Sequence, residues 1–482
     1  GGNNYAPKFP MPNNQLFLLR YAFLHEDDFI KKQVLLNLEK MAYGGIYDQI
    51  GGGFSRYSVD DKWHVPHFEK MLYDNAQLVS LYSKAYQQDR NELYKNVVQE
   101  TLNFIDRELS TNNGAFYSSL DADSKNAAGE LEEGAYYVWT ENELKALLKE
   151  EYSLFADYYN INDYGFWENN HYVLIRNESQ EEFAKTHSLE LNDLQVKVDA
   201  WKSALTEARN KRQKPNLDDK VLTSWNALML QGYVDAYRAF GDQKYLERAI
   251  QNADFLINNQ LRKDGGLNRN FKEGQSTINA YLEDYATLIQ SLISLHEVTL
   301  NEKYLQRSQD LMTYTLKHFY DESSGMFFYT SDEDKNLIAR KVEVIDGVIS
   351  SSNSIIANNL FKLGHYLYEP KMTKMAEQML NNLSADIYNN SLGFGNWLHL
   401  MTNFTNPFYE IAVVGENAVS VNRELNQYYL PNTIITGATK DSNQPLLANK
   451  YVSDETLIYV CVNGTCKLPQ TDLTKALKSV EK

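Results

Sequence analysis

The chain has 482 residues, of which 43% are hydrophobic, and its formal net charge is −17. That length allows one large domain and a smaller one, while the absence of a long apolar run excludes a membrane-spanning helix and the negative charge disfavours nucleic acid or an anionic membrane as a partner. Two cysteines, Cys461 and Cys466, are too few for a disulfide-stapled fold or a cysteine-based zinc site, so we expect a cytoplasmic location.

The predicted elements are mostly helices that come in pairs. Apolar residues recur at helical spacing, as in Leu288, Leu292 and Leu295, and short connectors place a glycine such as Gly241 where a helix ends. In chain order the predicted helices are 14–25, 28–44, 67–88, 92–110, 141–150, 190–212, 221–240, 243–260, 280–299, 302–319, 353–367 and 371–387. Twelve helices in this arrangement indicate six hairpins.

Three of the predicted hairpins repeat one another. Ala76, Tyr86, Tyr94, Phe104 and Gly114 align with Ala227, Tyr237, Tyr245, Phe255 and Gly265, and with Ala286, His296, Tyr304, Tyr314 and, after one extra residue, Gly325. A repeat of this size indicates stacked supersecondary units that bury their apolar faces against their neighbours.

The long connections between hairpins are predicted to meet at one end of the stack. They are rich in glycine and span 45–66, 111–140, 261–279 and 320–352, whereas the turns inside a hairpin are short. Six hairpins that close on themselves predict a mainly α fold, an (α/α)6 toroid over residues 1–408 with the odd-numbered helices inside. Binding residues commonly lie on long loops held by a rigid scaffold.

The sequence changes character at residue 409. A buried strand is predicted at 409–415, a helix at 417–429, a strand at 455–462 and a helix from Thr471, which together indicate a small α/β appendage over 409–482. Asn463-Gly464 predicts a two-residue hairpin turn in which Cys461 faces Cys466. We expect these cysteines as two adjacent thiols that are able to oxidise.

Polar residues stand at the starts of the predicted inner helices, next to the long loops. They are Tyr73, Asp74, Asn75, Trp225, Asn226, Asp284, Tyr285 and Asn353. Helix capping is one explanation, since Asp, Asn and Ser satisfy free backbone amides there. A substrate pocket is the other, and it suits Asp74 better because Asp74 lies about two turns inside the helix predicted at 67–88.

The segment 56–70 has the densest concentration of reactive side chains. It places Arg56, Trp63, His64 and His67 close together in the sequence, and the two histidines are candidate acid–base groups. No third ligand follows at helical spacing, so no metal site is predicted, and no cofactor is predicted either. The alternative is that each histidine is a hydrogen-bonded structural group.

Acidic residues form further candidate groups in the loops. Asp121 and Asp123 follow the Gly114 loop, Glu133 precedes a run of aromatic residues, and Asp219 precedes Trp225. Paired carboxylates beside aromatic rings are typical of glycan-processing sites, although aspartates are equally common in turns. The excess of acidic over basic residues in these motifs predicts an acidic, aromatic pocket suited to a neutral or cationic polyol.

Several of these motifs resemble one known family. They are Ala6–Pro10, Gly44–Asp48, Arg56–Asp60, the thirteen residues from Trp63 to Asn75, Asp121–Ser124, Asp219-Lys220, Ser224–Asn226, Glu283–Tyr285 and the segment of Cys461 and Cys466. Together they resemble the thioredoxin-domain-containing family related to spermatogenesis-associated protein 20. The resemblance implies a barrel similar to N-acylglucosamine 2-epimerases and six-hairpin glycosidases, preceded by an N-terminal thioredoxin-like domain.

Three functions therefore remain open for the chain. The first is a sugar epimerase or isomerase with His64 and His67 as acid–base groups and Arg56 stabilising enolate-like charge. The second is a glycoside hydrolase that uses two of Asp74, Asp123 and Asp284. The third is a non-catalytic scaffold that binds a glycan or a protein for the thioredoxin-like domain.

Overall fold

A closed ring of helices forms most of the computed structural model, which describes residues 2, 4–334 and 338–480. The helices are α1 (Pro12–Leu24), α2 (Asp28–Tyr43), α3 (Leu72–Asp89), α4 (Glu92–Phe104), α5 (Glu141–Leu148), α6 (Tyr152–Tyr158), α7 (Gln180–Thr186), α8 (Leu191–Arg209), α9 (Thr223–Phe240), α10 (Gln243–Asn259), α11 (Leu282–Thr299), α12 (Glu302–His318), α13 (Ser352–Tyr366), α14 (Pro370–Asn382), α15 (Ser384–Asn389), α16 (Gly395–Thr405), α17 (Ala418–Leu425) and α18 (Leu473–Leu477).

Short strands occupy the loops, and longer ones lie near the C-terminus. They are β1 (Tyr57–Ser58), β2 (Pro66–His67), β3 (Lys70–Met71), β4 (Ser119–Leu120), β5 (Asp123–Lys125), β6 (Leu131–Glu133), β7 (Trp139–Thr140), β8 (His171–Tyr172), β9 (Leu217–Asp218), β10 (Val221–Leu222), β11 (Asn270–Phe271), β12 (Tyr320–Asp321), β13 (Met326–Phe327), β14 (Tyr409–Val414), β15 (Thr433–Ala438), β16 (Leu457–Val462) and β17 (Thr465–Cys466). Within the described residues no helix is both long and apolar enough to span a bilayer.

The ring confirms the predicted (α/α)6 toroid. Its inner helices follow one another in the order α1, α3, α9, α11, α13 and α16, and α16 packs back against α1 to close the circle. Helices α2, α4, α10, α12 and α14 pack on the outside, each against its inner partner. The inner helices begin at the long loops, so those loops converge on one end of the ring, as the hairpin pattern predicts. The loop prediction 320–352 includes residues 335–337, which lie outside the described part.

One predicted hairpin does not belong to the ring. Helices α5 and α8, predicted as the third hairpin, lie in an insertion with its own apolar cluster around Trp201 and Phe155, and α3 packs directly against α9. The sixth inner position is filled by α16, which the sequence pattern missed. The segments of α5 and α8 are helical, as their spacing of apolar residues predicts. That spacing does not specify which surface a helix packs against.

The outer helices start with the same capping arrangement in each repeat. The side chains of Asn91, Asp242 and Asn301 accept hydrogen bonds from backbone amides two residues further on, at 2.9–3.1 Å. These caps satisfy amides that have no partner inside the helix. Before the second repeat's cap, Gly241 ends α9 with a φ of 68°, the left-handed conformation that glycine adopts without strain.

The C-terminal unit is a four-stranded sheet that packs on the hairpin-turn end of the ring. Its order is β15-β14-β16-β17, with β14 parallel to β15 and antiparallel to β16. His296 on α11 contacts the hydroxyl of Thr436 on β15 at 3.1 Å, and Tyr366 on α13 donates to the carbonyl of Ile435 at 2.9 Å. The sheet is therefore fastened to two inner helices, while the domain boundary at residue 408 stays a prediction.

The cysteine hairpin has the register expected for an Asn-Gly turn. Cys461 pairs with Cys466 and Val462 with Thr465 across the turn. The two cysteines are joined by a disulfide with a Cα–Cα distance of 3.8 Å, rather than present as two thiols. The two Cα atoms come this close because the cysteines occupy a non-hydrogen-bonded pair of the hairpin, in which opposite Cα atoms approach most nearly.

Candidate functional site

A polar cavity runs along the axis of the ring. Its volume is about 220 Å³, below the usual range for pockets that take drug-sized ligands, so it suits a molecule of monosaccharide size. All six inner helices line it, through Asn13, Leu16, Arg20, Gln77, Ser80, Lys84, Gln87, Leu228, Gln231, Asp235, Arg238, Gln290, Ser294, Glu297, Ile355, Asn358, Asn359, Lys362, Asn396, His399 and Asn403. The segment from Asn426 to Pro431 of the C-terminal unit lines the end of the cavity nearest the hairpin turns.

The cavity lining follows from a polar stripe on each inner helix. On α3 the stripe contains Gln77, Ser80, Lys84 and Gln87, which are spaced three or four residues apart and so share one face. The opposite face of each inner helix packs into the main apolar core. Burying so many amides and charges opposes folding unless they are paired, which makes this cavity the candidate ligand site.

Charged residues of the stripe form a continuous chain of ion pairs. Lys84 binds Asp235, Arg238 contacts both Asp235 and Glu297, and Lys362 lies 3.6 Å from Glu297. The hydroxyl of Tyr366 donates to Glu297 at 3.0 Å. Burial alone would raise the pKa of Asp235 and that of Glu297, but the surrounding cations lower both, so the two carboxyls are ionised.

A second polar group lies on the other side of the cavity, where α1 meets α16. Arg20 donates from Nη1 to the carbonyl of His399 at 3.0 Å and from Nη2 to the side chain of Asn403, while its Nε has no hydrogen-bond partner among the described residues. Burial and the nearby cations Arg20, Lys362 and Lys84 hold the pKa of His399 well below its ordinary value. His399 is therefore neutral, and it does not add to the positive charge.

At the loop end, one turn from the cavity lining, a smaller cluster surrounds Asp74. Asp74 is 1% exposed, and within the described part of the chain its Oδ2 has no hydrogen-bond partner. Arg56 pairs with Glu69 at 3.2 Å and is hydrogen-bonded to Tyr73. Burial raises the pKa of Asp74 well above its ordinary value, and the nearby Arg56 only partly opposes this. Burial thus favours the protonated form of Asp74, which lies three residues before Gln77 and so on the same face of α3.

The two candidate histidines of segment 56–70 lie in different surroundings. The Nδ1 of His67 is 2.7 Å from Glu133 and its Nε2 is 3.8 Å from Glu69, which joins it to the cluster around Asp74. His64 instead packs against Tyr164 of the insertion, with ring centroids 4.1 Å apart. Burial lowers the pKa of His64, and the adjacent Asp60 opposes the shift. The structure therefore does not bring the two histidines together as a pair.

Asp284 and Trp225 connect the loop end across neighbouring helices. Asp284 is fully buried and accepts the backbone amides of Ser224 and Tyr281 at 2.9 Å, and Arg269 approaches it at 3.3 Å. Burial raises the pKa of Asp284, while Arg269 opposes the shift. One oxygen of Asp284 thus links α11 to α9, and the other caps the start of α11 itself. The ring of Trp225, next to Ser224, packs edge-on against Tyr73 at 4.8 Å.

Four candidates hold the long loops to the inner helices. Asn75 accepts the backbone amide of Phe54 and donates to its carbonyl, and Asn226 and Asn353 make the same pair of bonds with Phe116 and Phe327. Tyr285 replaces asparagine in the fourth case, and its hydroxyl accepts the amide of Leu267 at 2.8 Å. Their polar atoms are engaged inside the protein, so these residues fasten loops rather than contact a substrate.

The remaining candidates are also accounted for by local contacts. Trp63 is buried, and its indole donates to Asn37 at 3.3 Å. Asp121 is exposed and caps the turn at Asp123, which lies in strand β5 opposite Glu133. Asp219 is exposed and binds Lys272 at 2.6 Å. None of these residues joins the cluster around Asp74 except Glu133, through His67.

The expected convergence on one cavity is wrong in part. The residues expected to line a single cavity were Arg56, His64, His67, Asp74, Asp123, Trp225 and Asp284, and none of them lines the axial cavity. That cavity is also not acidic, because its four cations exceed its two carboxylates. The expectation relied on loop motifs, which stand out in the sequence, and overlooked polar residues spaced three or four apart inside otherwise apolar helices.

The described residues contain no group of three or more His, Cys, Asp or Glu side chains placed to hold a metal ion. The fold and its internal cavity define the class of the protein: an (α/α)6 toroid with a polar axial cavity. A solved structure of this class, cellobiose 2-epimerase from Bacillus thermoamylovorans, superimposes with a TM-score of 0.51 at 11% identity, covering 80% of this chain and 78% of that one. At that identity the likeness shows the fold alone.

Comparison with curated sequences identifies the family. An uncharacterized protein of Caenorhabditis elegans is 30% identical over the whole chain, which covers 70% of that protein. Human spermatogenesis-associated protein 20 is 31% identical over 98% of the chain, which covers 66% of the human protein. No family model matches the chain. The chain belongs to the family of spermatogenesis-associated protein 20, and it corresponds to about two thirds of the human protein's length.

Proposed function

We propose that the protein is a carbohydrate-active toroid that binds a sugar in its axial cavity. The observation that carries this proposal is the polar stripe contributed by every inner helix, because a folded ring without a ligand would be more stable with an apolar axis. Amides such as those of Gln231 and Asn358 both donate and accept hydrogen bonds, as sugar hydroxyls require. The named activity of the similar epimerase structure supports the same class of ligand.

A calorimetric screen of neutral aldoses and disaccharides against the whole chain tests this proposal. Gln231 lines the cavity and its Oε1 has no partner, so Gln231→Leu should weaken binding by roughly threefold to tenfold. Gln251 lies on the outer helix α10 and is exposed, which makes Gln251→Leu the matched control. Equal weakening by both variants, or no binding by the unaltered protein, would reject the proposed sugar site.

The cluster beside the cavity favours a proton-transfer reaction at the loop end. A protonated Asp74 is able to donate to a sugar carbonyl oxygen, and His67, oriented by Glu133, is the candidate base at the other end of the cluster. This is the epimerase or isomerase hypothesis with Asp74 and His67 as the acid–base pair. The glycoside hydrolase hypothesis is weaker because both oxygens of Asp284 are engaged in the backbone.

Solvent exchange distinguishes these reactions. Sugars that bind are incubated with the protein in D₂O and followed by NMR, and epimerisation should introduce deuterium at the carbon next to the carbonyl. Asp74→Asn should reduce this exchange by about 10²–10⁴-fold while binding is kept, and the exposed Asp310→Asn should leave it unchanged. Hydrolysis of a glycoside instead would favour the second hypothesis, and binding without any conversion would favour a scaffold.

The thioredoxin-like domain and the cytoplasmic location also stay proposals. The relatives extend beyond the region that this chain matches, which leaves room for such a domain. Pull-down of the chain with a separately produced thioredoxin-like region of a relative would test the partnership. Fractionation of cells that express a tagged full-length relative would test the location.

A further inference from the structure

The charge balance of the axial cavity is positive. Its lining contains four cations, Arg20, Lys84, Arg238 and Lys362, but only two carboxylates, Asp235 and Glu297. His399 is neutral for the reasons given above. Two positive charges are therefore left without a counter-charge inside a buried site. Uncompensated charges in such surroundings are costly, and proteins normally pair them.

Arg20 is the cation that most clearly lacks a carboxylate. The ion-pair chain from Lys84 to Lys362 includes both acidic residues, whereas Arg20 is 1% exposed and forms no ion pair within the described part of the chain. Its bonds go to a carbonyl and an amide oxygen, and its Nε remains unsatisfied. The acidic groups among the described residues do not supply a partner, which leaves a bound anion as a source of compensation.

The groups that surround Arg20 and His399 come from helices α16, α13 and α3 and from the C-terminal unit. His399 and Asn403 lie on α16, and Tyr429 of the C-terminal unit lies close enough to influence Arg20 electrostatically. Tyr429 is buried, which raises the pKa of its phenol so that it is neutral, although Arg20 opposes that shift. Lys362 on α13 and Lys84 on α3 also act on His399, so their positive fields overlap there.

We infer that the deep end of the axial cavity, between Arg20 and Lys362, binds the anionic group of a monosaccharide-sized ligand. The shared chemistry is a negatively charged oxygen cluster, which a sugar acid supplies as a carboxylate and a sugar phosphate as a phosphate. The anion neutralises the surplus charge and accepts a hydrogen bond from Nε of Arg20. The side-chain amides of the stripe form hydrogen bonds with the hydroxyls of the ligand. The sugar part of this ligand rests on the proposed function, whereas the anion site does not.

Calorimetric titration with matched ligands tests the inference. Glucose, galactose and mannose are each compared with the corresponding uronic acid and 6-phosphate. At least one anionic member should bind more tightly than its neutral parent, and Arg20→Gln should reduce that preference by roughly tenfold to a hundredfold. Arg307→Gln, at a partly exposed position on the outer helix α12 and away from the cavity lining, is the matched control and should change nothing. Tighter binding of the uronic acid would identify the anion as a carboxylate, and tighter binding of the 6-phosphate would identify it as a phosphate.

Lys362→Gln provides an independent variant if Arg20→Gln does not unfold cooperatively. The Lys362 substitution removes a charge on a different helix, and it should reduce the same preference for the anionic ligand.

A thermal-shift series with acetate, inorganic phosphate and chloride separates the two proposals. If neutral hexoses bind and no anionic form binds more tightly, the inference is overturned and the proposed sugar site stands. If no sugar binds but acetate or phosphate raises the Tm of the unaltered protein and not of Arg20→Gln, the anion site is supported and the sugar proposal fails. If neither occurs, both are overturned.

Discussion

Arg20 and His399 are separated by almost the entire ring in sequence, yet Arg20 donates a hydrogen bond to the carbonyl of His399 at 3.0 Å. The contact joins the first inner helix to the last and so closes the toroid. The second Nη of the same guanidinium binds Asn403 one turn further along α16. The ring is thus closed by a buried arginine whose two Nη groups find their acceptors on a single helix.

Loss of the Asn403 acceptor should destabilise the ring. Asn403→Leu leaves a charged donor of Arg20 buried without a partner, which should lower the free energy of unfolding by about 2–3 kcal/mol. Urea unfolding followed by circular dichroism measures the change. Asn389 is exposed on α15, so Asn389→Leu should be nearly neutral. An equal effect of the two variants would contradict a role for Asn403 in closure.

The asparagine clamps should be stability determinants rather than ligand contacts. Asn226→Ala removes one acceptor and two donor bonds to the backbone of Phe116 and Leu222, and we expect a loss of about 2–4 kcal/mol. The exposed Asn192→Ala on α8 is the control. If Asn226→Ala keeps the unfolding midpoint and instead loses sugar binding, the clamp interpretation is wrong.

Acid should destabilise the protein through Asp48. Burial opposes ionisation of Asp48, but Arg209 and Lys70, each at 2.9 Å, outweigh it and hold the pKa of this carboxyl far below the ordinary value. The contribution of Asp48 to the free energy of unfolding is therefore present above about pH 3.9, the pKa of an aspartate in the unfolded chain. It is lost as the pH falls below that value.

The variant Asp48→Asn isolates this contribution. It leaves Arg209 and Lys70 buried without a counter-charge, so at pH 7 the free energy of unfolding should fall by about 3–5 kcal/mol. Between pH 5 and pH 3 the difference from the unaltered protein should shrink. Urea midpoints across that range measure it, with the exposed Asp310→Asn as control. A difference that stays constant with pH would show that ionisation of Asp48 is not responsible.

Asp74 should have the opposite pH dependence. Its folded pKa is raised by burial, so the unfolded chain ionises first and stability falls as the pH rises above about 3.9. Asn is a neutral isostere of the protonated carboxyl, and Asp74→Asn should therefore gain stability relative to the unaltered protein between pH 4 and pH 7. Chemical unfolding at both values tests this. A variant that is less stable at pH 7 would indicate an ionised Asp74.

The disulfide predicts a simple thiol count. The chain has two cysteines, so the oxidised protein should show no free thiol before reduction and two after it. Because the two cysteines lie only five positions apart, reduction should cost no more than about 2 kcal/mol of stability. Thiol titration with and without reductant, followed by urea unfolding of both forms, provides the measurement. Two free thiols in the unreduced protein would restore the expectation of adjacent thiols.

Local sequence patterns were enough to predict most of the ring's helices, the repeat of three hairpins, the loop end, the strands β14 and β16 and the register of the cysteine hairpin. These features depend on local periodicity, capping and turn chemistry, which operate over a few residues. The family followed from contiguous motifs, above all the segment from Trp63 to Asn75.

Which helices form the ring, and where its polar interior lies, depends on long-range packing that no local pattern encodes. Helix α5 has the period of a ring helix but packs in the insertion, and α16 completes the circle because its face fits α1. Likewise, the local sequence around Arg20 and His399 does not predict their contact, because it joins residues far apart in the chain. Asn75 and Asp74 are neighbours in sequence, yet Asn75 binds a loop backbone while Asp74 is buried with an oxygen that has no partner among the described residues. Side-chain direction around a helix, fixed by packing on both of its sides, separates such roles.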